Sequence, residues 1–362
     1  MRINEHFYQS SESYKVPADL AFYDVKKHES IAVHGLYDYK AQVGFPRMPK
    51  SVAEATNARV ACLYSNPAGG RVRFKTNSER IAIRAKYPNL TPRTILTGQV
   101  STGFDIYIRE NGIPTFYAAL YPPVDMTEDG YEKCVPLKEG EKEIEIYLPI
   151  YNDLGSLSVG LDAGAYLEAP TPYSHSAPIL YYGSSITQGA SASRPGNVYS
   201  AILARRFDTD FVNLGFASGA CGEAAIAEYM ASLSPSVFVC DYDYNAPSAE
   251  HLAATHLPLY RTMRAAHPEL PIILITKPIL LACGDNPDHD RRREIIYETS
   301  RTARAEGDEN VYILDGKEAF APYEAGMGCA DGVHPNDFGM WVYAENIARI
   351  LKNELGFKEC EK

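Results

Sequence analysis

The 362 residues carry 46 acidic and 35 basic side chains, a net charge of −11, and the length suits about two domains. At 45% hydrophobic and 22% charged the composition is that of an ordinary globular protein, which excludes collagen, coiled-coil and extensively disordered architectures. No window approaches the ~18 continuous apolar residues of a membrane span, and Met1-Arg2-Ile3-Asn4-Glu5-His6 has no apolar run behind its basic residue, so the chain reads as soluble and cytoplasmic.

The first ~55 residues show no clear period. From residue 60 to about 168, short alternating or aromatic-rich runs follow one another: Val60–Tyr64, Arg71–Thr76, Ile81–Tyr87, Phe104–Arg109, Thr115–Tyr121, Glu143–Pro149 and Leu157–Leu161. Asn66-Pro67-Ala68-Gly69-Gly70 and Glu110-Asn111-Gly112 punctuate them, a spacing that predicts an antiparallel β-sandwich. The prolines between Ala169 and Pro178 continue neither a helix nor a central strand and predict a linker, which divides the chain into 1–172 and 173–362. Split near residue 175, the two halves hold 19 basic with 21 acidic and 16 basic with 25 acidic residues, nets of −2 and −9. An acidic half without a basic stripe argues against nucleic-acid and anionic-membrane partners.

Beyond the linker, the apolar runs Ile179–Tyr182, Phe211–Leu214, Val237–Asp243, Ile272–Thr276 and Val311–Leu314 each lead through a loop into a helix-like segment. Five such units predict a doubly wound parallel sheet. Phe338, Trp341, Ala344, Ala348 and Leu351 step by three and four along a closing helix with Asn336 or Asp337 as N-cap.

Ligands of an open α/β sheet bind beyond the carboxyl ends of its strands, so the residues just after each run come first. They are Gly183-Ser184-Ser185-Ile186-Thr187-Gln188-Gly189, Gly215-Phe216-Ala217-Ser218-Gly219, Asp241-Tyr242-Asp243-Tyr244-Asn245 and Asp331-Gly332-Val333-His334. A serine hydroxyl is a weak nucleophile until an imidazole takes its proton, and the imidazole needs a carboxylate to fix its tautomer. Ser185, His334 and Asp331 supply those three parts. The N–H groups of Ser185 and Gly219 and the amide of Asn245 supply donors for an oxyanion, with Ser218 as the other register of the glycine block. His334 must be neutral to accept the proton, so activity is expected to rise with pH through the imidazole range.

Each element also has a plainer reading. A serine between Gly and Ile is usually a turn residue, and Asp-x-x-His before Pro335-Asn336 suits a capping loop. Asp241, Asp243 and Asn245 alternate like calcium ligands, yet Ala246 and Leu252 stand where that loop needs Gly and Glu. His251 and His256, five apart, lack the spacing of a helical zinc pair and read as structural. Cys62, Cys134, Cys221, Cys240, Cys283, Cys329 and Cys360 are odd in number and contain no C-x-x-C, so reduced thiols are expected, with neither a disulfide framework nor a metal. Neither glycine-rich phosphate motif is present. The weak signals gain weight because they fall at one sheet edge in one chain order.

In that order the four blocks resemble the SGNH (GDSL-type) hydrolases: the nucleophile in Gly183-Ser184-Ser185, the glycine block Asn213 to Gly219, the block ending at Asn245, and the Asp331/His334 pair. Gly103-Phe104-Asp105-Ile106-Tyr107 resembles the Gly-x-Asp-Leu-Tyr signature of a β-sandwich domain that precedes some of these enzymes. Ser184 stands where the usual Gly-Asp-Ser has Asp, and Tyr244 where many relatives have Gly. The resemblance implies a flavodoxin-like three-layer α/β/α catalytic domain and a serine esterase without cofactor. It further implies removal of acetyl groups from carbohydrate; the acidic second half disfavours polyanionic ligands, which puts neutral mannan or xylan fragments ahead of pectin, and a homo-oligomer is left open. A lysophospholipase or thioesterase is the alternative enzyme; it would need an apolar channel, since a long acyl chain gains ~0.8 kcal/mol per buried CH₂. A carbohydrate-binding protein with an inert second half is the non-enzyme alternative, which hydrolysis of p-nitrophenyl acetate separates.

Overall fold

The computed structural model describes residues 9–11, 14–110, 112–278, 287–324 and 326–360; Cys283 and the opening Met1-to-His6 segment lie outside them. In chain order the first half contains β1 (Leu20–Asp24), β2 (Ala32–His34), α1 (Lys50–Thr56), α2 (Ala58–Leu63), β3 (Arg71–Thr76), β4 (Arg80–Lys86), α3 (Gly98–Thr102), β5 (Phe104–Glu110), β6 (Ile113–Leu120), β7 (Tyr131–Pro136), β8 (Lys142–Tyr147), β9 (Ser156–Asp162) and β10 (Leu167–Glu168). The strands build two antiparallel sheets, β1-β9-β4-β7 and β10-β3-β8-β5-β6, with β2 on the edge of β3.

Period-2 alternation decides how these sheets pack. Val72, Phe74, Ile106, Ile108, Ile144 and Ile146 of one sheet meet Ile81, Ile83, Val159 and Leu161 of the other. The intervening Arg71, Arg73, Tyr107, Glu145 and Tyr147 face away from that core, yet they are buried too, because the second half of the chain covers them. Arg71 pairs with Asp210 across this boundary and lies 3.9 Å over the Phe211 ring.

Val60–Tyr64, expected as a strand, is helical. The Asn57 side chain caps α2 by accepting from Arg59 N and Val60 N, and Val60 and Leu63 bury the same face three residues apart. An apolar run of five is too short to separate the two periods. Both short helices join the core of the second half, to which Met48, Ala53, Val60 and Leu63 belong.

The second half continues as β11 (His175–Gly183), α4 (Ser185–Gln188), α5 (Tyr199–Phe207), β12 (Thr209–Gly215), α6 (Ala224–Ala231), β13 (Val237–Asp241), α7 (Ala249–Ala266), β14 (Ile272–Ile275), α8 (Pro287–Ala305), β15 (Val311–Leu314), α9 (Gly316–Phe320) and α10 (Asp337–Asn353). The sheet is parallel in the order β12-β11-β13-β14-β15, the flavodoxin-like arrangement. Helices flank it, α5 packing on α10, and α6, α7 and α8 packing in series. The linker ends earlier than expected: His175 already pairs with Thr209, and a register shift before Ile179 takes up Pro178 inside β11. Asn336 rather than Asp337 caps α10, accepting from Gly339 N. Among the described residues, no helix is long and apolar enough to cross a membrane.

Candidate active site

The strand order reverses at β11, so the carboxyl ends of β11 and β13 border the crevice where a ligand fits. Ser185 is the first residue of α4, immediately past β11. Only glycine fits two residues before it: a Cβ on Gly183 would lie 2.2 Å from Thr187 Oγ1 and 2.3 Å from Asp241 O. Ser184 is wholly buried and its hydroxyl accepts from Ile186 N at 3.2 Å, so this serine organises the turn where relatives have a carboxylate. The following side chain, Ser185, is half-buried at the crevice.

Ser185 Oγ lies 2.9 Å from His334 Nε2, and His334 Nδ1 lies 2.7 Å from Asp331 Oδ2. The three-residue spacing works because Asp331 Oδ1 accepts from Val333 N at 3.0 Å and His334 N at 2.8 Å, a turn that carries the ring back to its own carboxylate. Burial raises the Asp331 carboxyl, but the bonds from the His334 N–H, its imidazole and the Val333 N–H outweigh it and hold the group below its usual range. With Nδ1–H donated to that carboxylate, Nε2 is left as the acceptor for the serine proton.

The loop after β12 closes the other side. A Cβ on Gly215 would lie 2.2 Å from Gln188 N, so this glycine lets β12 approach α4, and Gln188 Oε1 accepts from Ala217 N at 2.9 Å. Ser218 has a left-handed backbone, φ 56°, and its N–H reaches Asn245 Oδ1 at 3.1 Å, while Asn245 Nδ2 donates to Phe216 O at 2.8 Å. The Gly219 N–H is taken up by Phe216 O at 2.9 Å. Both N–H groups that the glycine block offers, Ser218 and Gly219, are thus engaged within the loop, the first by the Asn245 side chain and the second by Phe216 O.

Several residues of the first half, unanticipated from the sequence, frame this loop. Arg47, 1% exposed, donates to Asn213 O and Gly215 O at 2.9 and 2.6 Å and to Leu63 O at 2.9 Å. Arg59 Nε donates to Ala217 O at 2.9 Å, Asn57 Nδ2 to Gly219 O at 2.8 Å, and Tyr151 OH to the carbonyl of Ser185 itself at 3.3 Å. The Gly-x-Asp segment acts at the same boundary: Asp105 Oδ2 accepts from Arg194 Nη1 at 3.0 Å and Gly196 N at 2.7 Å, and Tyr107 OH accepts from Arg194 at 2.7 Å. Together they pin the segment that follows α4. No local pattern announces these contacts, since each crosses from one half of the chain to the other; only the Gly-x-Asp-x-Tyr motif gave a signal.

The remaining polar candidates have structural partners. Asp243 accepts from Arg292 Nη1 at 3.2 Å and from Lys277 N at 3.0 Å. His256 is buried and bonded to Thr299 Oγ1, and burial pulls it down to about 4; His251 Nε2 lies 2.8 Å from Cys221 O.

Two family models match the chain: the GDSL-like lipase/acylhydrolase family over residues 176–352, and the N-terminus of SGNH hydrolase-type esterases, the GxDLY domain, over residues 20–167. The chain belongs to the SGNH hydrolases. It is an ester hydrolase of the subgroup that carries the GxDLY sandwich. Among solved structures it is similar to a Bacteroides ovatus protein described as a GDSL-like lipase, at 27% identity and TM-score 0.84, covering 94% of this chain and 100% of that one. The salicylyl-acyltransferase SsfX3 of a tetracycline biosynthetic pathway shares the fold at 21% identity and TM-score 0.75, over 94% and 99% of the two chains. A family two carbohydrate esterase from Clostridium thermocellum, solved with cellohexaose, shares it at 16% identity and TM-score 0.63, over 91% and 100%. No curated protein matches this hydrolase.

Proposed function

We propose that this SGNH hydrolase removes acetyl or similarly small acyl groups from carbohydrate through a Ser185 acyl-enzyme. The observation that carries the reading is the continuous relay from Ser185 Oγ through His334 to Asp331, at 2.9 and 2.7 Å. His334 Nε2 takes the serine proton as Oγ attacks the ester carbonyl, and returns it to the leaving alcohol. Water then enters by the same base and releases the acid. The N–H of Ser185, which precedes the first intrahelical bond of α4, and the second Nδ2 hydrogen of Asn245 are the donors assigned to the oxyanion, with the glycine-block N–H, at Ser218 or Gly219, as the third once a bound oxyanion displaces its loop acceptor.

A small acyl group on a sugar is favoured because the relay opens onto the surface, with the Asp331 side chain 29% exposed and Ser218 exposed, so a bulky hydrophilic alcohol has access. A fold neighbour solved with cellohexaose is itself a carbohydrate esterase. The partner assigned is an acetylated oligosaccharide, with no metal in the chemistry. Acetate release from acetylated mannan, xylan and pectin oligosaccharides tests the reading. Activity on p-nitrophenyl esters falls steeply from acetate to octanoate if it holds; a preference for octanoate, or fatty acid released from lysophospholipid at comparable rate, overturns it.

A further inference from the structure

The boundary between the two halves is rich in arginine, and most of that charge is neutralised in place. Arg71 faces Asp210, Arg73 faces Glu143, Arg109 faces Asp208 and Arg194 faces Asp105. Arg47 lies among three carbonyls. Arg59 and Arg93 differ: among the described residues neither has a carboxylate within ion-pair distance. Arg59 holds Ala217 O, one residue before Ser218, and the Arg93 guanidinium lies 5.3 Å from the centre of the Tyr151 ring, whose hydroxyl donates to Ser185 O.

Burial raises the Tyr151 hydroxyl, and the positive charges of Arg93, Arg47 and Arg59 oppose the rise. Arg93 Nε is buried without a hydrogen-bond acceptor. Asp153, two residues beyond Tyr151, accepts instead from Ser65 Oγ, Asn66 Nδ2 and Asn89 Nδ2 at 2.7, 2.7 and 3.2 Å. A partly desolvated guanidinium with no anion is costly, and a ligand carboxylate is its best-matched partner because two parallel N–H groups meet two oxygens.

We propose that Arg93 and Arg59 form an anion subsite beside Ser185, so that the preferred ester carries a carboxylate within about one sugar ring or a short acyl chain of the scissile bond. The inference rests on the ester-hydrolase reading above and deepens it. It also revises the preference for neutral substrates drawn from net charge. Repulsion by the acidic surface is screened beyond ~8 Å at physiological ionic strength, whereas a guanidinium in contact acts locally. A uronate ring supplies the carboxylate on the alcohol side, and a dicarboxylic half-ester supplies it on the acyl side.

Two matched pairs separate these sources: the methyl glycoside of acetylated glucuronic acid against that of acetylated glucose, and monomethyl succinate against methyl butyrate, all followed by acid release. The expected result is a kcat/KM ratio of ~10 or more in favour of the anion in one pair, shrinking with added salt. Arg93→Gln lowers that ratio ~10-fold, and Arg93→Lys retains part of it because the charge stays while the fork is lost. A ratio near one in both pairs, with the neutral members hydrolysed, overturns the subsite and leaves the esterase intact. A folded enzyme inert toward all four esters overturns the esterase reading and the subsite with it.

Discussion

Asp331 and Asp105 are both hydrogen-bonded carboxylates that serve the same site, and they are built in opposite ways. Asp331 is partly exposed, and its partners are its own near neighbours, Val333 and His334. Asp105 is fully buried, and its partners Arg194 and Gly196 stand 89 and 91 residues away. The first is held below the usual carboxylate range by local N–H groups. The second is raised, since burial outweighs Arg194, the Gly196 N–H and Gln99. The reacting groups are thus positioned by short-range turns at strand ends, and the frame that fixes those turns is a buried, long-range polar boundary. Loss of the first kind of residue should cost rate, and loss of the second should cost stability.

Ser185→Ala should break that division most visibly if it is wrong: kcat is expected to fall by ~10⁴ or more with the melting temperature within a few degrees of wild type. Asp331→Asn leaves the turn but misorients the imidazole, with kcat expected to fall ~10²–10⁴-fold and little change in denaturation midpoint. Asp105→Ala inverts the pattern, because it strands the half-buried Arg194 guanidinium and the buried Gly196 N–H. A stability loss of about 3–5 kcal/mol by urea unfolding is expected, with a smaller fractional change in kcat for the molecules that remain folded.

The smallest effect sharpens the comparison by its sign. Asp331, with a lowered pKa, contributes stability that is complete above the ordinary carboxylate value of ~3.9 and is lost as pH falls through its depressed value. Asp105, with a raised pKa, contributes stability that is present below ~3.9 and is lost as pH rises through its elevated value. Urea midpoints of the two Asp→Asn variants, measured from about pH 3 to 6, should therefore diverge from wild type with opposite slopes. Parallel profiles would place both carboxylates in the same kind of environment.

This contrast also explains what the sequence disclosed. Ser185, Asp331, His334 and Asn245 stood out because strand ends are readable from apolar runs, and the Asp-x-x-His turn is complete within four residues. The glycine block stayed open between Ser218 and Gly219, since a left-handed residue in a run of small ones leaves no mark on hydrophobic periodicity. Arg47, Asn57, Arg59 and Tyr151 were invisible: they bond backbone carbonyls, and any residue offers a carbonyl. The sandwich strands were legible through alternation. β7 was missed because Glu132 and Lys133 interrupt its apolar pattern, and α2 was misread because five residues fit either period. Asp105 lay inside a recognised signature, yet its task as a latch on Arg194 required the fold.

The chemistry turns on which side chain becomes acylated. Treating the protein with a fluorophosphonate ester, which phosphonylates an activated serine, and mapping the adduct by peptide mass spectrometry tests this most directly. One adduct per chain is expected, on the peptide containing Ser185, absent in Ser185→Ala and strongly slowed in His334→Ala. An adduct that persists on Ser184 in the Ser185→Ala protein, or acetyl-ester hydrolysis that continues undiminished with Ser185 fully modified, would contradict the Ser185 assignment.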